Sequence, residues 1–121
     1  MTSIRIHRVY DREGIPQGQR ILVDGIWPRG VKREDLDLVE WMREVAPSAG
    51  LRKWFGHDPA RWEEFRKRYT AELHAHPTTL EPLLAAAKKG PVVLLYGARD
   101  EQHNQAVVLK EVLEQAGDGD A

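Results

Sequence analysis

The feature that most constrains the fold is an unbroken apolar segment at 92–98, which reads Val-Val-Leu-Leu-Tyr-Gly-Ala. Surface helices and half-exposed strands carry polar residues at regular intervals, but a strand covered on both faces of a parallel sheet is apolar throughout. The segment is also far too short to cross a bilayer. It therefore predicts a central, buried strand over residues 92–96 in a protein that has no membrane partner.

Two further strands are predicted near the N-terminus, over residues 3–10 and 20–25. The first alternates apolar and polar residues imperfectly, and the second contains a short apolar run. A turn-rich segment at 14–18 separates them. This linker is short for a conventional crossover connection, which favours an antiparallel pair, although a compact parallel connection stays open.

Periodic apolar residues and helix caps predict four to five helices around this sheet. In the first helix, Leu36, Val39 and Met42 share one face, and in the third, Trp62 and Phe65 begin an apolar stripe that continues to residue 73. Asp58-Pro59 supplies an N-cap followed by proline at the first helical position. The predicted helices span residues 32–45, 48–55, 59–75, 80–88 and 102–115.

Together these elements predict a small α/β domain of two or three layers, with a short, mainly parallel central sheet packed by helices. A chain of 121 residues has the usual length for one hydrophobic core. We therefore expect a single domain over residues 1–116. The glycine- and aspartate-rich residues 117–121 are predicted to form a disordered tail.

The chain contains no cysteine. Disulfides, thiolate nucleophiles and metal centres held by thiolates are therefore excluded. The first residues enter a strand-like pattern at once and lack the basic and apolar segments of a secretion signal. We expect a cytoplasmic protein.

The N-terminal third is basic, although the whole chain carries a formal net charge of −1. Through Arg33, seven basic residues stand against three acidic ones, which is a local net charge of +4. Such an excess attracts anionic ligands. A dedicated duplex-binding domain is usually far more basic and carries a recognisable docking motif, and this chain has neither. We therefore expect a small-molecule partner rather than a nucleic acid, and the sequence leaves the oligomeric state open.

Five motifs carry a resemblance to a known family. They are Arg20-Ile-Leu-Val-Asp24, Trp27-Pro-Arg-Gly-Val-Lys32, Ala46-Pro-Ser48, Leu51-Arg-Lys-Trp-Phe-Gly-His57 and His103-Asn-Gln-Ala-Val-Val-Leu109. In this order and over nearly the whole chain, they resemble the family called domain of unknown function 488, in its short YeaO-like group. The resemblance implies a compact α/β domain and implies no established reaction.

The chain departs from that family at two places. Longer relatives carry cysteines in the segment that resembles residues 96–105, so any thiol mechanism suggested for those relatives cannot transfer to this cysteine-free chain. Gly25 stands where the short group often has arginine. That difference removes one positive charge from the expected site.

The predicted sheet indicates where a site would lie, because ligands of open α/β sheets bind beyond the carboxyl ends of the strands. We expect a cleft between residues 27–32 and 96–104 that binds a small anionic molecule, and whether the protein also transforms that molecule stays open. Arg29 and Lys32 would clamp the anion. Trp27, Arg20 and Asn104 complete the predicted ligand-binding set.

Three residues of the same cleft are candidates for proton transfer. His103 precedes the last predicted helix, Tyr96 ends the central strand, and Asp24 follows the second strand. Two of them have a structural alternative: for Asp24, an ion pair with a nearby arginine needs fewer assumptions than catalysis, and a lone histidine such as His103 is more often a capping or hydrogen-bonding residue.

Two other functions stay open. His103 or His57 would serve as the ligand in a metal- or haem-binding protein, in which aromatic residues line the pocket. Alternatively, the domain binds a partner without any chemistry, which a broad exposed apolar patch would indicate.

Overall fold

The computed structural model of the protein describes residues 3–38 and 40–119. It contains one four-stranded sheet in which every pair of neighbours is parallel. The strands are β1 (Ile4–Arg8), β2 (Gln19–Leu22), β3 (Glu40–Trp41) and β4 (Val92–Tyr96), in the spatial order β1-β4-β2-β3. The predicted α/β class with a short, mainly parallel sheet is confirmed.

Strand β4 lies in the middle of the sheet, and all five of its residues are buried. Its side chains alternate between the two faces: Leu94 contributes to the larger hydrophobic cluster, whereas Val93 and Leu95 contribute to the smaller one. The continuous apolar pattern therefore has the predicted cause, which is burial on both faces.

Of the two connections that the sequence left open for the first two strands, the structure has the parallel one, and the favoured antiparallel pair is not formed. Strands β1 and β2 both run parallel to β4 and lie on opposite sides of it, with Ile6 and Ile21 flanking Leu94. Two strands separated by a third lie about 10 Å apart. A short linker can therefore span them without forming a hairpin. Strand β4 lies between them but comes much later in the chain, so the sequence of the linker does not indicate that a third strand separates the two.

Residues 3–38 and 40–119 also contain five α-helices and three short 3-10 helices, and the C-terminal α-helix packs directly on β1 and β4. Ser48 caps α2 by accepting a hydrogen bond from the backbone N–H of Leu51, and Asp58 caps the turn that leads into α3. The helices predicted over 48–55, 59–75, 80–88 and 102–115 are confirmed with small shifts of their ends. The α-helices are α1 (Arg33–Leu36), α2 (Ala49–Phe55), α3 (Trp62–Ala75), α4 (Glu81–Lys89) and α5 (Gln105–Gly119).

The single helix predicted over 32–45 is wrong. Helix α1 lasts one turn and ends where Asp37 adopts a left-handed conformation, with φ of 50°. The chain then forms β3, which pairs with the free edge of β2, and a 3-10 helix at Arg43–Val45. Backbone pairing with β2 outweighs the helical periodicity, and Leu36 and Met42 consequently enter different hydrophobic clusters. Val39 lies outside the described residues.

The apolar stripe of α3 is part of the larger hydrophobic cluster, with Phe65, Tyr69 and Leu73 buried and Trp62 packed against them. The buried hydroxyl of Tyr69 donates a hydrogen bond to the carbonyl oxygen of Val45. Burial raises the pKa of Tyr69 well above its ordinary value. The tyrosine therefore remains a neutral donor that joins α3 to the 3-10 helix ahead of α2.

The C-terminal helix α5 continues to Gly119, four residues past its predicted end. Of the predicted disordered tail, residues 120 and 121 lie outside the described residues, and the tail stays a prediction. Within residues 3–38 and 40–119, no helix has both the length and the apolar character needed to cross a membrane.

Candidate functional site

Asp24 joins three elements at the carboxyl edge of the sheet. It lies just beyond β2, and Gly97 follows β4 directly. The Oδ2 atom of Asp24 accepts a hydrogen bond of 2.9 Å from the Gly97 N–H, and its Oδ1 atom accepts one from the side-chain amide of Gln105 at the start of α5. Because parallel strands end at the same edge, residues far apart in sequence meet here.

A small crevice opens beside Asp24, between the strand ends and helix α2. Its volume is about 160 Å³, which is close to the roughly 150 Å³ of a cavity that holds benzene. Apolar side chains form much of its wall. The lining residues are Asp24, Gly25, Ile26, Pro47, Arg52, Phe55, His57, Phe65, Ala98, Asn104 and Gln105.

The cation of the crevice is Arg52 of α2. In the part of the chain that the structure describes, its guanidinium group makes no hydrogen bond and no ion pair with another side chain or carbonyl. Its Nε atom is buried and has no acceptor. A buried donor without a partner is costly, because it has lost its hydrogen bonds to water.

Two glycines make space for the charged groups. A Cβ atom added at Gly25 would lie 2.7 Å from the Nη1 atom of Arg52, and one added at Gly97 would lie 2.9 Å from the Oδ2 atom of Asp24. Arg52 therefore occupies the space that a side chain at position 25 would need. An arginine at position 25 would have carried a positive charge, and in this chain Arg52 of helix α2 places its positive charge beside that position.

The carboxyl group of Asp24 is hard to ionise. Burial raises the pKa of Asp24 from 3.8 to about 6, although the Gly97 N–H, the Gln105 amide and the positive charge of Arg52 all act in the opposite direction. Removal from water therefore outweighs three favourable contacts. The crevice holds a carboxylate at neutral pH and a neutral carboxyl group in mild acid.

This raised pKa predicts a pH dependence of stability. The folded state binds the Asp24 proton more tightly than the unfolded state, so protonation of Asp24 stabilises the folded protein. This contribution to the free energy of unfolding is fully present below about pH 4 and is lost as the pH rises through about 6. The difference between 3.8 and about 6 corresponds to about 3 kcal/mol. Urea unfolding of wild type and Asp24→Asn at about pH 4 and pH 7.5 should show that only the wild type loses this contribution.

The control for that measurement is Glu101→Gln, which removes an exposed carboxylate outside the crevice. It should retain the wild-type pH dependence. If Asp24→Asn and wild type lose stability in parallel between the two pH values, burial of Asp24 does not control this part of the profile.

Three residues predicted from the sequence line the crevice: Asp24, Asn104 and His57. Asn104 is buried and caps α5, since its Oδ1 atom accepts hydrogen bonds from the backbone N–H groups of Ala106 and Val107. Its side-chain amide donates to the carbonyl oxygen of Asp100 at 2.9 Å. These contacts position the start of α5, which in turn positions Gln105 against Asp24.

Residues 27–32 do not line the crevice, although Pro28 lies close to Gly97. Trp27 packs edge-on against Trp41 with ring centroids 5.2 Å apart, next to the smaller hydrophobic cluster. Arg29 and Lys32 are exposed and do not line the crevice. The Nη1 atom of Arg20 donates to the carbonyl oxygen of Leu36. The structure therefore brings residues 24–26, rather than 27–32, to the crevice beside Ala98 and α5.

Tyr96 and His103 also lie outside the lining of the crevice. Tyr96 is buried in the larger hydrophobic cluster, and burial raises its pKa. The Nδ1 atom of His103 is 2.8 Å from the Oδ2 atom of Asp100, and its ring packs edge-on against Trp62. This contact lowers the pKa of Asp100. The geometry gives Tyr96 and His103 contacts within the fold, and their catalytic roles stay predictions.

A metal site is not assembled among the described residues. No group of three or more histidine, aspartate or glutamate side chains in residues 3–38 and 40–119 could hold an ion. His57 is exposed at the crevice and has a left-handed backbone conformation, with φ of 58°. His103 forms a hydrogen bond with Asp100. The metal- or haem-binding alternative stays a prediction that rests on single histidines.

Arg52 and Gln105 are the two residues with polar side chains in the crevice lining that were not predicted from the sequence as site residues. Both lie inside motifs of the family resemblance, Leu51–His57 and His103–Leu109, and this was the available signal. The spacing of residues in the sequence does not assign the charge of Arg52 or the amide of Gln105 to a site. Only the packing of α2 and α5 at the strand ends brings them to Asp24.

An open parallel sheet covered by helices, with a crevice at its carboxyl edge, defines a small α/β domain. Within that class, the sequence model described as the inactive DUF488-N3 subclade matches residues 3–121. The chain belongs to this family. The resemblance to domain of unknown function 488 is thereby confirmed.

Curated relatives agree with this assignment. The chain is 44% identical to the uncharacterized protein YeaO of Escherichia coli over 111 residues, which cover 92% of this chain and 96% of that protein. It is 38% identical over 112 residues to the uncharacterized proteins Mb3100c of Mycobacterium bovis and Rv3073c of Mycobacterium tuberculosis, covering 93% of this chain and 94% of each relative. No solved structure matches the chain.

Proposed function

We propose that this protein binds a small anionic molecule in the crevice without transforming it, and that Arg52 holds the anion. One observation carries the proposal: the Arg52 guanidinium lines the crevice and has no acceptor among the described residues. Arginine presents two parallel N–H groups that match a carboxylate or a phosphate. An anion would supply the missing acceptor.

The shape of the crevice supports a small ligand. Its volume of about 160 Å³ accommodates a molecule of about six non-hydrogen atoms. The rings of Phe55 and Phe65 form an apolar wall beside the charged groups. Ligand pockets commonly combine such walls with a few convergent polar groups, because the apolar area supplies affinity and the polar groups supply orientation.

Binding without turnover is favoured by two observations. The family model that matches the chain is described as an inactive subclade. In addition, no hydroxyl or thiol side chain lines the crevice among the described residues, and such groups are the most common nucleophiles of covalent catalysis. Asp24 then serves as a recognition group for the ligand.

The test is a titration of ¹⁵N-labelled protein with propionate and with inorganic phosphate, followed through the Nε–H signal of Arg52 by nuclear magnetic resonance. We expect one of these anions to shift that signal saturably. Arg52→Gln should weaken binding at least tenfold, because about 1.5–3 kcal/mol is typical of a hydrogen bond to a charged group.

Arg29→Gln is the matched control, since Arg29 is an exposed arginine outside the crevice. It should leave the affinity unchanged. If Arg29→Gln abolishes binding and Arg52→Gln does not, the anion is held by the segment 27–32, as the sequence alone suggested, and the proposal for Arg52 is wrong.

A further inference from the structure

The crevice contains two charged groups of opposite sign, Arg52 and Asp24, that are close enough to interact electrostatically. The Arg52 guanidinium lies against Gly25, the residue that follows Asp24. Even so, no ion pair joins Arg52 to Asp24 among the seven found in residues 3–38 and 40–119. The nitrogen atoms of the Arg52 guanidinium therefore lie more than 4.0 Å from the carboxylate oxygens of Asp24, and both groups line the same crevice.

We propose that the ligand is a small zwitterion of the amino-acid type, whose carboxylate binds Arg52 and whose ammonium group binds Asp24. This inference rests on the proposed function and adds the chemical class of the ligand. A simple anion would satisfy Arg52 alone. A zwitterion satisfies both charged groups and leaves the crevice electrically neutral.

The contacts of Asp24 support a cationic partner. Within the described structure its carboxylate accepts hydrogen bonds only from neutral donors, the Gly97 N–H and the Gln105 amide. A carboxylate oxygen can accept more than one hydrogen bond, so Asp24 retains free acceptor capacity. A buried charge is stabilised most by a charge of opposite sign, and an ammonium group of the ligand provides one.

The apolar wall limits the ligand to a short side chain. Phe55, Phe65 and Ala98 line the crevice with apolar side chains. After a carboxylate and an ammonium group are placed, about 160 Å³ leaves room for only a few carbon atoms. An amino acid the size of alanine fits these limits.

Three matched probes test the inference: L-alanine carries both charged groups, propionate carries only the carboxylate, and ethylamine carries only the ammonium group. Each is titrated at about pH 7.5, where Asp24 is ionised, and binding is followed through the Nε–H signal of Arg52 and the backbone amide of Gly97. We expect L-alanine to bind at least tenfold more tightly than propionate or ethylamine, and to shift both signals.

The variants separate the two charged contacts. Asp24→Asn should remove the preference for L-alanine over propionate while retaining propionate binding, and Arg52→Gln should weaken both ligands. Glu101→Gln, which removes an exposed carboxylate outside the crevice, should retain the preference. The Gly97 amide signal also shows whether Asp24→Asn preserves the local fold.

Two outcomes overturn different claims. If propionate binds as tightly as L-alanine, and Asp24→Asn changes neither affinity, the zwitterion inference is wrong and the proposed anion site stands. If L-alanine, propionate and phosphate all leave the Arg52 signal unmoved, the proposed function fails and the inference fails with it.

Discussion

Replacing Leu94 with alanine is expected to lower the free energy of unfolding by about 3–4 kcal/mol, the usual cost of truncating a buried leucine. Leu94 is at the centre of β4, is fully buried, and pairs in register with Ile6 on one side and Ile21 on the other. A sheet with neighbours on both sides cannot collapse easily around the cavity. Urea unfolding followed by tryptophan fluorescence measures the change.

The matched control is Ile26→Ala, because Ile26 is an apolar residue that remains 71% exposed. Its truncation removes little buried area and should change the free energy of unfolding by no more than about 0.5 kcal/mol. Equal losses for Leu94→Ala and Ile26→Ala would contradict the central position of β4, since that position alone distinguishes the two residues.

Adding a single methyl group at Gly25 is expected to reduce ligand affinity at least tenfold while the fold is retained. The new Cβ atom would lie 2.7 Å from the Nη1 atom of Arg52, so the guanidinium must leave its position. The end of an arginine side chain can move at low cost, and we therefore expect a small effect on stability. Titration with propionate and L-alanine measures the affinity, and the Arg52 Nε–H signal reports the displacement.

Gly50→Ala is the control for this substitution, because Gly50 lies in α2 with nothing within 4 Å of its added Cβ atom. Alanine is a better helix former than glycine, so Gly50→Ala should stabilise the protein by about 0.5–1 kcal/mol and leave the affinity unchanged. If Gly25→Ala binds like wild type while its Arg52 signal moves, the position of Arg52 does not determine binding.

The α/β class was predictable because local patterns determine it. The continuous apolar run at 92–96 requires burial on both faces, and the capping residues Ser48 and Asp58 mark the starts of helical segments with little regard to the rest of the chain. These signals depend on neighbouring residues only. The helices that begin near those caps were therefore found at nearly correct positions.

The errors arose where distant segments compete for the same residues. Residues 32–45 have helical periodicity, but Glu40–Trp41 is needed to pair with the edge of β2. Which strands pair with each other depends on the packing of the whole sheet, so a short stretch of neighbouring residues does not reveal the pairing partner of a strand. The antiparallel pair that the short linker favoured for β1 and β2 is absent for the same reason, because β4 lies between them although it comes about 70 residues further along the chain.

The candidate site shows the same division between sequence and tertiary structure. The sequence by itself determined the α/β class, the central strand, the absence of thiol chemistry and the carboxyl edge at which Asp24 and Asn104 lie. Only the tertiary structure decided that Arg52, rather than Arg29, is the cation of the crevice. The physical reason is that an arginine acquires this role through burial without a partner, and burial depends on how α2 packs against Gly25 and the strand ends.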